Sequence, residues 1–275
     1  MRVSGSDNKP AALDRPSSAR VYDYLLGGTH HYAIDRKFAD EQVAVAPDMP
    51  YGMRSNREFI GRAVRLALRH GIRQFVDIGA GLPSQGQAHE IADETDPQAR
   101  ARVVYVDNEE IAHAHSEILL AEEADPQRHR AVFADFFDGA RLWQRVLDTG
   151  VIDPREPTCL LVTALLHFMP PEKAPERTLA FYQDRLPPGS MLVLSHISDA
   201  DHRPDTHEVV ANYAKTTNPA FLRSRDEVAA LFGGWELVEP GVVWAVEWRP
   251  DGREEPWWDD DPARVRYLAG VAIKP

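Results

Sequence analysis

Gln74-Phe75-Val76-Asp77-Ile78-Gly79-Ala80-Gly81-Leu82-Pro83-Ser84 is the stretch on which the fold of this chain turns. A short apolar run ends at two glycines separated by one residue, and a helical pattern follows. That is the form of a strand entering a tight turn and leaving as a helix. Gly79 can take backbone angles closed to other residues, and Gly81 lets a ligand approach the main chain. Taken alone, the pair also fits a turn that only packs strand against helix.

The strands downstream repeat one feature. Val103-Val104-Tyr105-Val106 ends at Asp107, whose carboxylate can accept both hydroxyl hydrogens of an adenosine ribose. Asn108 stands beside it for the sugar or the adenine edge. A third acidic end follows at Asp135, placed to accept from an adenine amine while Phe136 offers a stacking face. Further apolar runs at 158–166 and 191–195 alternate with helical patterns at 84–94, 109–122, 140–147 and 171–185. Alternating βα units with near-continuous apolar strands predict an α/β fold with a parallel sheet covered on both faces. The last third differs, with helical patterns at 206–214 and 225–232 and β-type runs at 235–238, 242–248 and 267–273. The final two of these runs, pairing closely, are expected to be antiparallel.

Upstream lie three helical patterns. The first runs from a Ser17 or Ser18 cap through Val21, Tyr24 and Leu25 to Gly27-Gly28, and the second covers 35–45. The third repeats Phe59, Ile60, Ala63, Val64, Ala67 and Leu68 on one face and ends at Gly71. This divides the chain into a disordered tail (1–16), a helical cap (17–72) and a ligand-binding domain (73–275). Arg54, Arg57, Arg62, Arg65 and Arg69 are expected on a solvated outer face of the third helix.

The ligand is either a dinucleotide or an adenosyl sulfonium. A dinucleotide site prefers a third glycine where Ser84 stands, and Pro83 removes a backbone donor from the loop. Asp77 repels pyrophosphate and suits the ammonium of a methionine moiety. These residues favour S-adenosylmethionine as the cofactor, with Asp77, Gly79, Ala80, Gly81, Asp107, Asn108, Asp135, Phe136 and Thr163 as its expected contacts.

Bulk properties narrow the partners. The 275 residues carry a net charge of −12, which disfavours nucleic acid. The longest nearly apolar stretch, 159–171, is short of the ~20 residues of a membrane span. The single cysteine, Cys159, lies in an aliphatic run and reads as a buried, inert thiol. Without a disulfide or an N-terminal signal pattern, the expectation is a cytoplasmic protein.

The chain also resembles a bacterial S-adenosyl methyltransferase family, long catalogued as a domain of unknown function. The resemblance rests on Ala19-Arg20-Val21-Tyr22-Asp23-Tyr24-Leu25-Leu26-Gly27-Gly28, Asn56-Arg57, the glycine loop, Asp107-Asn108, Leu166-His167-Phe168 and Arg223-Ser224-Arg225-Asp226-Glu227-Val228. It implies a Rossmann-like class I methyltransferase fold, mostly parallel with an antiparallel C-terminal strand, and a cofactor site around Asp77, Gly79, Gly81, Asp107 and Asp135. Ala80 and Ser84 stand where many relatives carry threonine. The resemblance implies no particular acceptor.

Methyl transfer from a sulfonium needs alignment more than acid–base groups, so neither a triad nor a metal site is expected. His167, in the loop after the fourth strand, either orients or deprotonates an acceptor or bonds a backbone carbonyl, and His196 carries the same ambiguity. Tyr22, Tyr24 and His31, beside His30 and Tyr32, either cover the substrate or dock the cap on the sheet. The residues read together as a methyltransferase acting on a small molecule, its oligomeric state open. The rivals are a non-catalytic adenosyl-binding or protein-interaction module, for which Trp257-Trp258 is the candidate surface, and, more weakly, a nicotinamide-dependent oxidoreductase.

Overall fold

The computed structural model describes residues 14–82, 86–253 and 261–275. Helices α1 (Ser18–Leu25), α2 (Ala33–Val45) and α3 (Met49–Arg69) precede β1 (Gln74–Ile78). There follow α4 (Ala88–Thr95), β2 (Arg102–Asp107), α5 (Glu110–Glu123), β3 (His129–Phe133) and α6 (Ala140–Asp148). Next come β4 (Thr158–Thr163), α7 (Pro175–Arg185), β5 (Met191–Ile197), α8 (Pro204–Tyr213) and α9 (Arg225–Ala230). The chain closes with β6 (Glu236–Leu237), β7 (Val243–Trp244) and β8 (Tyr267–Ile273).

The strands form one sheet in the order β3-β2-β1-β4-β5-β8-β6, with β7 also on β8. The first five are mutually parallel, and β8 runs antiparallel to β5, β6 and β7. β1, β4 and β5 are buried along their whole length, as a strand covered on both faces requires. One hydrophobic cluster runs from Val21 and Phe38 in the first helices through Phe59 and Val64 of α3 to the sheet. The division at residue 72 is therefore one of chain order rather than of core. Arg15 and Pro16, read as tail, already bind the body through their carbonyls, to the Arg20 guanidinium and the Thr217 amide. Residues 1–13 lie outside the described residues.

Three local expectations are corrected. The run 158–166 does not continue as a strand beyond Thr163, because Ala164 turns to a φ of +50° and Leu166–Phe168 form a short 3-10 turn. The Ser195 hydroxyl holds that turn by accepting from the Ala164 amide at 2.9 Å. The run 242–248 yields only Val243–Trp244, since the Glu247 carboxylate reaches back to the Trp244 amide and starts a 3-10 turn. The arginine face of α3 is not solvated as a whole. Arg62 is 3% exposed and donates to the carbonyls of Trp248 and Ala245. Arg65 pairs with Asp251, and Arg57 faces the cavity described next. No helix among the described residues is long and apolar enough to cross a membrane.

Candidate active site

The carboxyl ends of the parallel strands open into one cavity of about 250 Å³. At the end of β1, Gly79 sits at φ +77° with the Leu165 side chain so close that a Cβ would lie 2.6 Å from it. Gly81, at φ +68°, faces open space, and its amide donates to Asp107 Oδ2 at 2.8 Å. The other oxygen of Asp107 accepts from the Glu109 amide at 2.8 Å. Each carboxylate oxygen thus keeps a lone pair for a ligand hydroxyl. Burial raises the Asp107 carboxyl above its usual range, against the pull of these amides.

Beyond β3, Asp135 accepts from the Phe137 amide and from the Asn108 side chain at 2.7 Å. Asn108 and Asp135 are therefore one unit, with the remaining carboxylate lone pairs available to an amine. Phe136 is buried against Phe137 and Tyr182, so its ring serves the core on one side while it lines the cavity on the other. Phe137 is less buried, also lines the cavity and carries Lys173 over its ring at 5.1 Å.

Asp77 lies between these carboxylates and α3. Burial pushes its pKa up to about 7, with Asp107 adding to the rise and the Arg57 guanidinium opposing it. Arg57 also lies over the Tyr22 ring at 5.7 Å. A buried carboxyl beside a guanidinium is the charge pattern that an α-amino acid moiety complements. Together with a glycine turn that leaves room at Gly81 and a carboxylate with lone pairs to spare at Asp107, this donor set fits S-adenosylmethionine.

The family model described as S-adenosyl methyltransferase matches residues 6–275. The chain belongs to the S-adenosyl methyltransferase family. A protein of Mycolicibacterium smegmatis named as an S-adenosyl-L-methionine-dependent methyltransferase is 29% identical over 163 residues, 58% of this chain and 49% of its own. The chain thus spans about half the length of the curated relatives it matches. A solved protein of Thermobifida fusca described as a methyltransferase is 32% identical, with a TM-score of 0.86 over 98% of this chain and 99% of its own. A DUF574 family protein of Streptomyces avermitilis is 35% identical, with a TM-score of 0.88 over 97% and 100%. The cofactor of this S-adenosyl methyltransferase family is S-adenosylmethionine.

Around the cavity the family member gathers most of the residues expected from sequence. Asp77, Gly79, Ala80, Gly81, Asp107, Asn108, Asp135, Phe136, Thr163, His167 and Tyr22 all line the cavity. Tyr24, His31 and His196 do not. Tyr24 donates to Asp40, and His31 bonds the Gly28 carbonyl, so both secure the α1–α2 turn. His196 is wholly buried, with Nδ1 bonded to the Ile197 carbonyl and Nε2 accepting from Arg223. Burial and Arg223 push its pKa down to about 3, which fixes it as neutral structure. Pro83, Ser84 and Trp257-Trp258 lie outside the described residues.

His167 is 3% exposed, and its Nδ1 is buried with no hydrogen-bond partner among the described residues. Burial, with His196 and Arg223 behind it, holds the ring neutral. Four residues near the cavity were given no role from the sequence. Glu109 caps α5 and pairs with the buried Arg20 of α1 at 2.8 Å, fastening the cap to the Asp107 loop. Asn56 accepts from Ser195 at 2.5 Å and donates to Tyr22 at 3.0 Å, joining α3, β5 and α1. Arg57 completes the set. Arg20 and Asn56-Arg57 stood inside the recognised motifs, and Glu109 stood at a helix start, so the signals were present without a geometry to read them.

Proposed function

We propose that this chain is an S-adenosylmethionine-dependent methyltransferase whose acceptor is a small molecule. One observation carries the reading: a single cavity holds the strand-end carboxylates on one side and the neutral His167 on the other. Asp107 would hold the ribose, Asp135 with Asn108 the adenine edge, and Asp77 with Arg57 the amino-acid end. Bound there, S-adenosylmethionine supplies a methyl group already activated by its sulfonium. The chain has then to align an acceptor and receive its proton. His167, held neutral, accepts the hydrogen bond of an acceptor hydroxyl. An oxygen gaining a methyl group becomes strongly acidic, so an imidazole of low basicity suffices to take its proton. Ser17, Ser18 and Tyr22, from α1 and the residue that precedes it, line the cavity.

Calorimetric titration with S-adenosylmethionine and S-adenosylhomocysteine tests the site, beside an Asp107→Ala variant checked as folded. Binding of both ligands, weakened at least about tenfold in the variant, is the expected result for a lost charge-assisted hydroxyl pair. Absence of binding to the unaltered protein would sink the reading.

A further inference from the structure

The order of strands lays the cavity out in two unlike halves. β3, β2 and β1 bring Asp135, Asp107 and Asp77 to one side, and Lys173 reaches back over Phe137 to the same side. β4, β5 and β8 bring His167, Ile197 and Tyr267 to the other, since Ile197 and Tyr267 are paired neighbours at the carboxyl end of β5. From β2 to β5 is three strand spacings, about 14 Å. The lining on this second side includes Met49, Met53, Phe168, Val210, Tyr213 and Tyr267. Its parts touch. The His167 ring lies 4.2 Å from that of Phe168, tilted against it, and 5.9 Å from Tyr267, Phe168 lies 5.7 Å from Tyr213, and the Tyr267 hydroxyl donates to the Met53 sulfur at 3.3 Å. Burial raises the Tyr213 and Tyr267 phenols above their usual range, so these walls carry no charge.

We infer that this half takes a flat, uncharged ring compound and presents one of its hydroxyls to His167 for methylation, an inference that rests on the cofactor site proposed above. Rings and thioethers contact an aromatic face well over a broad area. An acid or an ammonium entering the same half would lose its hydration with no opposite charge to replace it. An amine acceptor, arriving as a cation, is disfavoured for that reason, whereas a hydroxyl arrives neutral at the wall that His167 lines. In the transfer the hydroxyl oxygen forms the new bond to the methyl carbon. The sulfur keeps the electron pair of the bond that breaks, and the hydroxyl proton passes to His167 and on to water.

The test uses the full chain saturated with S-adenosylhomocysteine, whose binding is measured first. It is then titrated with 2-naphthol and with 6-hydroxy-2-naphthoate, which differ by one carboxylate. Naphthol is expected to bind at least about tenfold more tightly. A Val210→Arg variant, which places a guanidinium on this wall at a half-buried site, is expected to reverse the preference while leaving S-adenosylhomocysteine affinity unchanged. Equal or tighter binding of the carboxylate to the unaltered protein would overturn the inference. So would the failure of both probes on a protein that holds S-adenosylhomocysteine. Loss of S-adenosylhomocysteine binding itself would instead strike the cofactor site, and this inference with it.

Discussion

Asp77 shows how a single side chain couples affinity to acidity. Its pKa of about 7 means that the empty site holds a largely protonated carboxyl below neutral pH. A cationic amine requires the ionised form, so S-adenosylmethionine affinity should rise as the pH goes from 6 to 7.5 and then level. The rise approaches about tenfold per pH unit on the acid side. Titrations across that range check it, and an Asp77→Asn variant should bind weakly with no such slope. Stability runs the other way. The folded carboxyl holds a proton that the unfolded one, near 3.8, has lost, so its contribution is present at low pH and disappears as the pH rises through 7. Asp77→Asn should therefore melt higher than the unaltered protein at pH 8, by up to about 4 kcal/mol, and little differently at pH 4. The sequence placed this carboxylate before the glycines, but its burial beside Arg57 depends on α3, which lies elsewhere in the chain.

At the scale of elements, Arg20 is the tie between the first helices and the Asp107 loop. It is 1% exposed and spans Asp35 of α2 and the Glu109 cap of α5, each at 2.8 Å. Arg20→Met keeps most of the apolar stem and leaves Asp35 buried without its cation. Urea denaturation should show a loss of about 3–5 kcal/mol. A loss below about 1 kcal/mol would mean that the tie is dispensable. Strands whose apolar character is set by burial were legible, and β8 occupies the predicted residues 267–273. Two of the failures share a cause. The end of β4 depends on Ser195, 31 residues away, and Arg62 is satisfied by carbonyls 183 and 186 residues away. No local pattern carries such partners, and an arginine on a helix reads the same whether its far end meets water or a distant main chain.

Over the whole molecule, charge is unevenly placed as well as negative. The net charge is −12, and the cofactor side of the cavity adds Asp23, Asp77, Asp107, Glu109 and Asp135 against Arg57 and Lys173. S-adenosylmethionine carries a sulfonium charge that S-adenosylhomocysteine lacks. Raising ionic strength from about 0.02 to 0.5 M should weaken the first ligand several-fold and the second by less than about twofold. Equal weakening would show that these carboxylates do not distinguish the two by charge. The alternating units were legible in the sequence, but the strand order that separates these carboxylates from the ring-lined half was not, nor were the helices that complete each half, because α3 and α8 reach it only through tertiary packing. That separation bears on how the proposed activity would diversify. Phe168, Val210 and Tyr213 can be randomised together without touching the segments proposed to hold the cofactor. A library at those three positions would sample new acceptors on a constant methyl donor, and a lineage drifting there would change its product before it lost its chemistry.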